Sequence, residues 1–486
     1  MTTLLAIDIG TSSTKAALFS TAGELLARHG EACRVDSPQP GWAEQDPLDW
    51  WSAACRCTKR VLAEAGYPAV AAAAVSAQTP SLVAVDRQGN PIRPAILWLD
   101  RRAHEQVTWL GEHIGSPAAI AASGNLLDSY YGGVKWLWFR QQEPELYDRT
   151  WKILQAGSYI VYHLSGQAVL EYSQAGLCSP CFNIHTRTWD QDICRRMGIE
   201  LDKLPDLVPS VQIVGRVSPL AAQLSGIPAG TPLAGGGGDF ALSCLGAGSP
   251  QPGSAVVMLG TAGNLLVPAP AKSDPRLINT LHVSGGTLSL GGVQSGSLVT
   301  WLANLLGLDP AETYSQLEAE AAATPPGAEG LVFLPYLMGE RTPIWDPQAR
   351  GIFFGLSGAH QRGHLYRAVL EGVAYAFREM LAIVAGAGTP IRQVTLTDGG
   401  ARSPLWRQIF ADVLGVPVHW QPGGGTLLGT ALLAGVASGQ LPGFETIDSW
   451  LGPVTTHHPE TGRAAVYDQR YAVYSQLYGR LKDLMA

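Results

Sequence analysis

One pattern occurs twice in this chain and limits its possible folds more than any other feature. Near the start, two apolar runs, residues 4–9 and 14–19, flank a tight Gly10-Thr11-Ser12-Ser13 turn. Just past the midpoint, residues 254–259 and 262–267 flank Gly260-Thr261 in the same way. Strand, tight turn, strand reads as a β-hairpin whose turn offers backbone N–H groups and hydroxyls. Its recurrence points to an internal duplication, with each half of the chain opening on the same hairpin. Two such turns facing each other would grip a nucleotide's phosphates from both sides. The copies differ at one slot, where the first has Asp8 and the second Met258. A carboxylate inside an apolar strand is costly unless it meets a cation or a ring of donors, which suggests a metal beside the phosphates. The plainer reading is an ordinary hairpin with Asp8 satisfied by turn amides.

A chain of 486 residues is too long for one core, and the duplication divides it into an N-terminal domain, 1–246, and a C-terminal domain, 247–486. Apolar residues at 46%, charged residues at 15% and 56 glycines suit buried sheets with many glycine turns, the balance of an α/β enzyme. A formal charge of -7 without a long run of either sign makes nucleic acid an unsuitable partner. The first apolar run is short and carries Asp8, and no run approaches membrane length, so the expected setting is cytoplasmic with no membrane partner. Seven cysteines, an odd count, argue for reduced thiols. Cys178-Ser-Pro-Cys181 stands alone as a CxxC, so it reads as apolar packing rather than zinc.

Between the hairpins lie strand ends of the kind that hold ligands. Residues 69–77 run into Gln78-Thr79-Pro80-Ser81, and residues 94–97 run into Trp98-Leu99-Asp100-Arg101-Arg102. An aromatic face packs on sugar C–H bonds while Asp and Arg hydrogen-bond hydroxyls, so Trp98, Asp100 and Arg101 suit a sugar. The alternative is a helix cap at Asp100 with surface arginines. Residues 125–133, including Tyr130, form a polar loop, and helices are expected over 48–65, 102–114 and 133–142. Gly235-Gly236-Gly237-Gly238-Asp239 joins an apolar strand to a helix, where Asp239 gains from the helix N-terminus; the glycines also suit a hinge. In the second half, Gln294 to Thr300 opens a helix, and Asp398-Gly399-Gly400-Ala401-Arg402-Ser403-Pro404 would let a base or phosphate lie against bare backbone. No P-loop, dinucleotide fingerprint, HExxH or Gly-x-Ser-x-Gly occurs, which leaves phosphate binding to the paired hairpins.

These motifs, in this order, resemble those of the FGGY carbohydrate kinases of the actin-like ATPase superfamily, with the strongest likeness to the xylulokinase branch. Residues 7–15 resemble the family's first phosphate motif, 235–239 its catalytic GGGD segment and 259–261 its second phosphate motif. Residues 334–356 are similar to its second signature and 398–403 to its adenosine motif. The resemblance implies an α/β fold of two ribonuclease-H-like domains flanking a deep cleft, sugar held mainly by the first and ATP mainly by the second. It implies that Asp239 is the base taking the sugar hydroxyl's proton, and that Mg²⁺ is held through water by Asp8 and Asp239. Thr11, Ser12, Ser13 and Lys15 would meet phosphate from one side, Gly260 and Thr261 from the other. Gly296, Thr300, Gly399, Gly400, Ala401 and Pro404 fall at the family's nucleotide positions, Pro404 without a side-chain donor. The sugar would lie among Gln78, Thr79, Trp98, Asp100, Arg101, Tyr130 and Asp239.

The likeness weakens at the first sugar loop. Xylulokinases usually show Gln-Met-His-Gly there, whereas this chain has Gln78-Thr79-Pro80-Ser81. A pentulose such as D-xylulose, giving D-xylulose 5-phosphate, is the expected substrate, with glycerol, erythritol, ribulose or gluconate as alternatives. A catalytically silent sugar sensor would not need both Asp8 and Asp239, and an ATPase without sugar chemistry would not need the 334–356 signature. The expected partners are therefore a small sugar and ATP, and the assembly, a homodimer among the options, stays open.

Overall fold

The computed structural model describes residues 2–248, 251–308 and 310–485. The chain forms two α/β units. One comprises residues 1–250, 279–288 and 424–451, the other 251–278, 289–423 and 452–486.

The first unit is built on a mixed sheet. The hairpin expected at the start is present as β1 (Thr2–Ile9) and β2 (Ser13–Ser20), antiparallel with Asp8 opposite Lys15 and Ile9 opposite Thr14. β3 (Leu25–Ala32) adds to β2. Helix α1 (Pro47–Glu64) starts where Asp46 accepts from the Leu48 N–H at 2.9 Å, with Pro47 at its first position. It returns the chain to β4 (Ala69–Ala77), which runs parallel to β1 on the side away from β2. β5 (Pro232–Ala234) continues beyond β4. Leu5, Ile7, Ile9, Leu18 and Val75 of the sheet meet Trp50, Val61 and Leu62 of α1 in one buried core.

The second unit repeats this order of strands. β6 (Ser254–Leu259) and β7 (Ala262–Pro268) form the second hairpin, with Met258 opposite Asn264. β8 (Thr287–Gln294) lies outside β7. Helices α3 (Gly296–Leu305), α4 (Pro310–Ala323) and α5 (Arg362–Gly386) precede β9 (Gln393–Thr397), which is parallel to β6 as β4 is to β1. α6 (Pro404–Leu414) and β10 (Val418–Trp420) complete the parallel part. The orders β3-β2-β1-β4-β5 and β8-β7-β6-β9-β10 are the same, so the sequence repeat is a repeat of topology.

The helix Thr426–Ala437 belongs to the first unit, although it follows β10 in the chain. Its length is apolar and small, and it packs on β1 and β4. It also lies against the helix Asp239–Gly246, and Gly429 permits that approach, since a Cβ there would fall 2.0 Å from the Leu242 carbonyl oxygen. No helix among the described residues is long and apolar enough to cross a membrane.

Candidate active site

Strand register brings the two carboxylates of the first unit together. Asp8 is the penultimate residue of β1, flanked by Lys15 on β2 and Ser76 on β4. The residue is buried, and its carboxylate accepts from Ser76 Oγ at 3.0 Å and lies 3.6 Å from Lys15 Nζ. Gly237 and Gly238 pair with Ser76 and Ala77 at the end of β4, which delivers Asp239 beside Asp8. Asp239 is the first residue of helix α2 (Asp239–Gly246), whose cap is Gly238, and its Oδ1 accepts from the Phe240 N–H at 2.7 Å.

The segment before Asp239 is held tightly. Gly236 has φ +83°, and a Cβ there would meet the Val75 carbonyl oxygen at 2.2 Å, so only glycine fits. The Gly238 N–H donates to Ser173 Oγ at 3.0 Å, and Ser173 Oγ donates to the buried Glu171 at 2.8 Å. This rigid strand ending is a positioned mount for Asp239. Burial, followed by the neighbouring Asp8 charge, pushes the Asp239 pKa from the ordinary 3.8 up to about 7. Burial likewise raises that of Asp8, with Lys15 and Ser76 opposing. Two crowded carboxylates with one lysine beside them are short of positive charge. Such an oxygen-rich, anionic pair suits a hard cation such as Mg²⁺ held through water.

The sugar-loop residues divide into two groups. Trp98 Nε1 donates to Thr11 Oγ1 at 2.9 Å, and Thr11 Oγ1 donates to Gln78 Oε1 at 2.8 Å. Gln78 Nε2 and Trp50 Nε1 both donate to Gln45 Oε1, at 2.8 and 3.1 Å. Gln45 Nε2 closes the ring onto the Thr11 carbonyl at 2.8 Å. The Thr11 hydroxyl proton is therefore committed to Gln78, and its side chain joins the turn of the first hairpin to the end of β4 and to Trp98. Gln45 carries no spacing signal in the sequence, since its partners are 5 to 34 positions away. Thr79 is 5% exposed and lies 3.4 Å from Gln155 Oε1. Arg101 Nη1 donates to Asp128 at 2.6 Å, and Asp128 also accepts from the Tyr130 N–H at 2.7 Å. Lys135 is fully buried and donates to the carbonyls of Ser129 and Tyr130 at 2.7 and 2.6 Å. Burial and the nearby Arg101 charge bring its pKa down to about 7.

Asp100 departs from the sequence expectation. It is fully buried, both its oxygens are engaged by Arg102, and Oδ2 also accepts from the Ala43 N–H at 2.6 Å. Nor does it cap a helix, since the next one begins at His104. Its neighbours Trp98 and Arg101 are half-buried, but Asp100 points into the protein to neutralise Arg102, which stacks 3.5 Å over the Trp42 ring.

In the second unit, a cavity of about 560 Å³ is lined by Gly260, Thr261, Gly296, Thr300, Gly399 and Gly400, all expected at the nucleotide. The Gly296 and Ser297 N–H groups donate to the carbonyls of Gly260 and Thr261, at 2.9 and 3.1 Å, which ties the α3 start to the hairpin turn. Tyr314, Glu318, Tyr366, Ser403 and Trp406 also line it. Ser403 belongs to the adenosine-like motif, whereas Tyr314, Glu318, Tyr366 and Trp406 have no distinguishing spacing, because they sit on α4, α5 and α6, whose apolar periodicity reads as core. Thr300 Oγ1 and Tyr314 Oη share a hydrogen bond of 2.9 Å, and Ser403 Oγ donates to Glu318 at 2.6 Å. Two expected contacts do not line the cavity. Ala401 is fully buried, and Pro404 serves as the first residue of α6, behind the capping Ser403. Ser12 is exposed, whereas Ser13 and Lys15 are half-buried on β2. The cysteines at 178, 181 and 194 are free and buried, which agrees with the packing reading.

Residues 3–246 match the model of the FGGY family of carbohydrate kinases, N-terminal domain, and residues 255–438 that of its C-terminal domain. The chain is 33% identical to xylulose kinase of Escherichia coli (strain K12), over 99% of this chain and 100% of that protein. It is 29% identical to gluconokinase of Bacillus subtilis (strain 168), over 99% and 96%. Among solved structures, xylulose kinase from Rhodospirillum rubrum matches with a TM-score of 0.92 at 33% identity, covering 99% of each chain.

Proposed function

Because the chain belongs to the FGGY family of carbohydrate kinases, we propose that it moves the γ-phosphoryl group of ATP onto a hydroxyl of a pentulose, D-xylulose first, to give D-xylulose 5-phosphate. The observation that carries this reading is the Asp239 carboxylate, mounted on a rigid strand end beside Asp8 in a chain similar to a xylulose kinase over its full length.

In this reading, ionised Asp239 takes the proton of the attacking sugar hydroxyl. The hydroxyl oxygen bonds to the γ-phosphorus as the bond from that phosphorus to the β–γ bridging oxygen breaks, and ADP leaves. Lys15 and the turn of the first hairpin face the transferred group. Asp8 and Asp239 would hold Mg²⁺ through water, and that ion, when bound, offsets phosphate charge. The cavity of the second unit takes the nucleotide, with Tyr314 and Trp406 as apolar walls and Glu318 as an acceptor for ribose hydroxyls. A cytoplasmic setting follows from such a substrate pair.

Gluconate is the second reading. It is favoured by the missing Met-His pair at Thr79-Pro80 and by the full-length likeness to a gluconokinase. ADP release from MgATP, measured with D-xylulose, L-xylulose, D- and L-ribulose, glycerol, erythritol and gluconate, separates the two. A strong response to a pentulose supports the proposal, a response to gluconate alone replaces it, and no response to any of them removes it.

Two residue roles can be checked in the same assay. Asp8→Ala should demand more Mg²⁺ and lower the rate, with sugar KM little changed; an unaltered metal titration would take Asp8 out of the metal site. Thr11→Val removes the hydroxyl that donates to the buried Gln78 Oε1, a loss of about 1–3 kcal/mol for a buried acceptor. Sugar KM should rise by about 10-fold with ATP KM nearly constant, since 1.4 kcal/mol is a factor of ten. The opposite split would return Thr11 to the nucleotide.

A further inference from the structure

Side chains alternate across a strand, so the face of the first sheet opposite Asp8 and Lys15 carries Thr14 on β2 with His29 and Glu31 on β3. Helix α1 packs on this face and contributes Cys57, whose Sγ lies 3.5 Å from the Thr14 carbonyl oxygen. The His29 imidazole, the Glu31 carboxylate and the Cys57 thiol each offer one ligand atom, and the three atoms lie within 4.8 Å of one another. Cys57 is buried at the bottom, while His29 and Glu31 are half-exposed at the mouth, so the cluster opens to solvent.

One nitrogen, one oxygen and one sulfur ligand suit a borderline-soft ion, since Mg²⁺ and Ca²⁺ take oxygen sets. Bonds of about 2.0–2.3 Å place tetrahedral ligands roughly 3.3–3.8 Å apart, so closure on an ion asks for side-chain shifts of about 1 Å. His29 and Glu31, two residues apart on an outer strand, have room for them. Arg56 already grips Glu31, Nε at 3.0 and 2.9 Å from its oxygens and Nη2 at 2.5 Å. Oε2 takes two of these contacts, whereas Oε1 takes one and keeps a lone pair for a metal, and a hydrogen-bonded partner behind a ligating carboxylate fixes its orientation. The guanidinium charge also weakens attraction for a cation, so affinity should fall short of a dedicated structural zinc site.

We propose that His29, Glu31 and Cys57 form a binding site for one thiophilic divalent cation of the Zn²⁺ kind, with water as the fourth ligand. Binding forms a metal–sulfur bond and releases the Cys57 proton to solvent. It also ends the Cys57 contact with the Thr14 carbonyl, and Thr14 lies between Ser13 and Lys15 of the phosphate hairpin. The site is independent of the kinase reading.

The test titrates the full chain with Co²⁺, whose bond to thiolate gives a near-ultraviolet charge-transfer band. One saturable band per chain is expected, displaced by Zn²⁺, absent in Cys57→Ser and kept in Cys181→Ser. His29→Ala should weaken the apparent Kd by at least about 10-fold, the scale seen when a metal's supporting groups are lost. The proposal is overturned by the absence of a saturable band, by a band that survives Cys57→Ser or is lost in Cys181→Ser, or by unchanged affinity in His29→Ala. That last variant decides the matter by itself if Cys57→Ser fails to fold.

Discussion

Asp239→Asn is expected to fold normally and to lose about 10²-fold or more in turnover, the usual contribution of a general base. The amide keeps an oxygen to accept the Phe240 N–H, so the start of α2 and its strand mount should stay in place. What the variant lacks is the lone pair that receives the hydroxyl proton. A second signature separates this from misfolding. The folded-state pKa of Asp239, about 7, is raised above the ordinary 3.8. Its contribution to stability is therefore fully present below about pH 4 and is lost as pH rises through 7. Asn has no proton to lose. In metal-free buffer the melting temperature of the variant, relative to the parent, should climb between pH 4 and pH 7 and then level off. Turnover within a few-fold of the parent would remove Asp239 from the chemistry, whatever the melting curves show.

Arg367→Ala should have the largest effect on stability. Arg367 and Glu371 are one turn apart on α5, both almost wholly buried, with Nε 2.7 Å from Glu371 Oε1. Arg367 also donates to the carbonyls of Ala321 and Thr324 and to Tyr467 Oη, while Glu371 accepts from the Gly327 N–H. Removing the guanidinium leaves a buried carboxylate without its cation, a loss of about 3–5 kcal/mol. The second unit's melting temperature should then drop by about 10 °C. Nucleotide binding should weaken with it, because Tyr366 and Trp406 line the cavity and Trp406 Nε1 donates to the Leu370 carbonyl of α5 at 3.1 Å. Pairing Arg367→Met with Glu371→Leu should recover much of the loss, since apolar residues can replace a buried ion pair. A melting curve unchanged by Arg367→Ala would show that Glu371 is satisfied without it.

What the residues disclosed in advance was local or periodic. The two hairpins, the helix α1 and the glycine run ending in Asp239 each declare themselves locally. Their recurrence anticipated the matching strand orders of the two units. Connections made across long stretches of chain were not legible. Trp98 and Thr11 are 87 positions apart, and nothing near either residue says that they share a hydrogen bond. Asp100 misled because its neighbours point outward while it turns inward to Arg102, and adjacency in sequence does not report side-chain direction. The helix Thr426–Ala437 is made of small apolar residues, but its composition does not say that it packs on β1 and β4 of the first unit.

The most direct measurement is mass-spectrometric detection of a sugar phosphate formed from MgATP and D-xylulose by the parent chain, run beside Asp239→Asn. Pentulose phosphate in proportion to ADP, with D-xylulose 5-phosphate as the product, is expected from the parent, and almost none from the variant. Equal product from both proteins, or ADP formed by the parent without any sugar phosphate, would contradict this expectation.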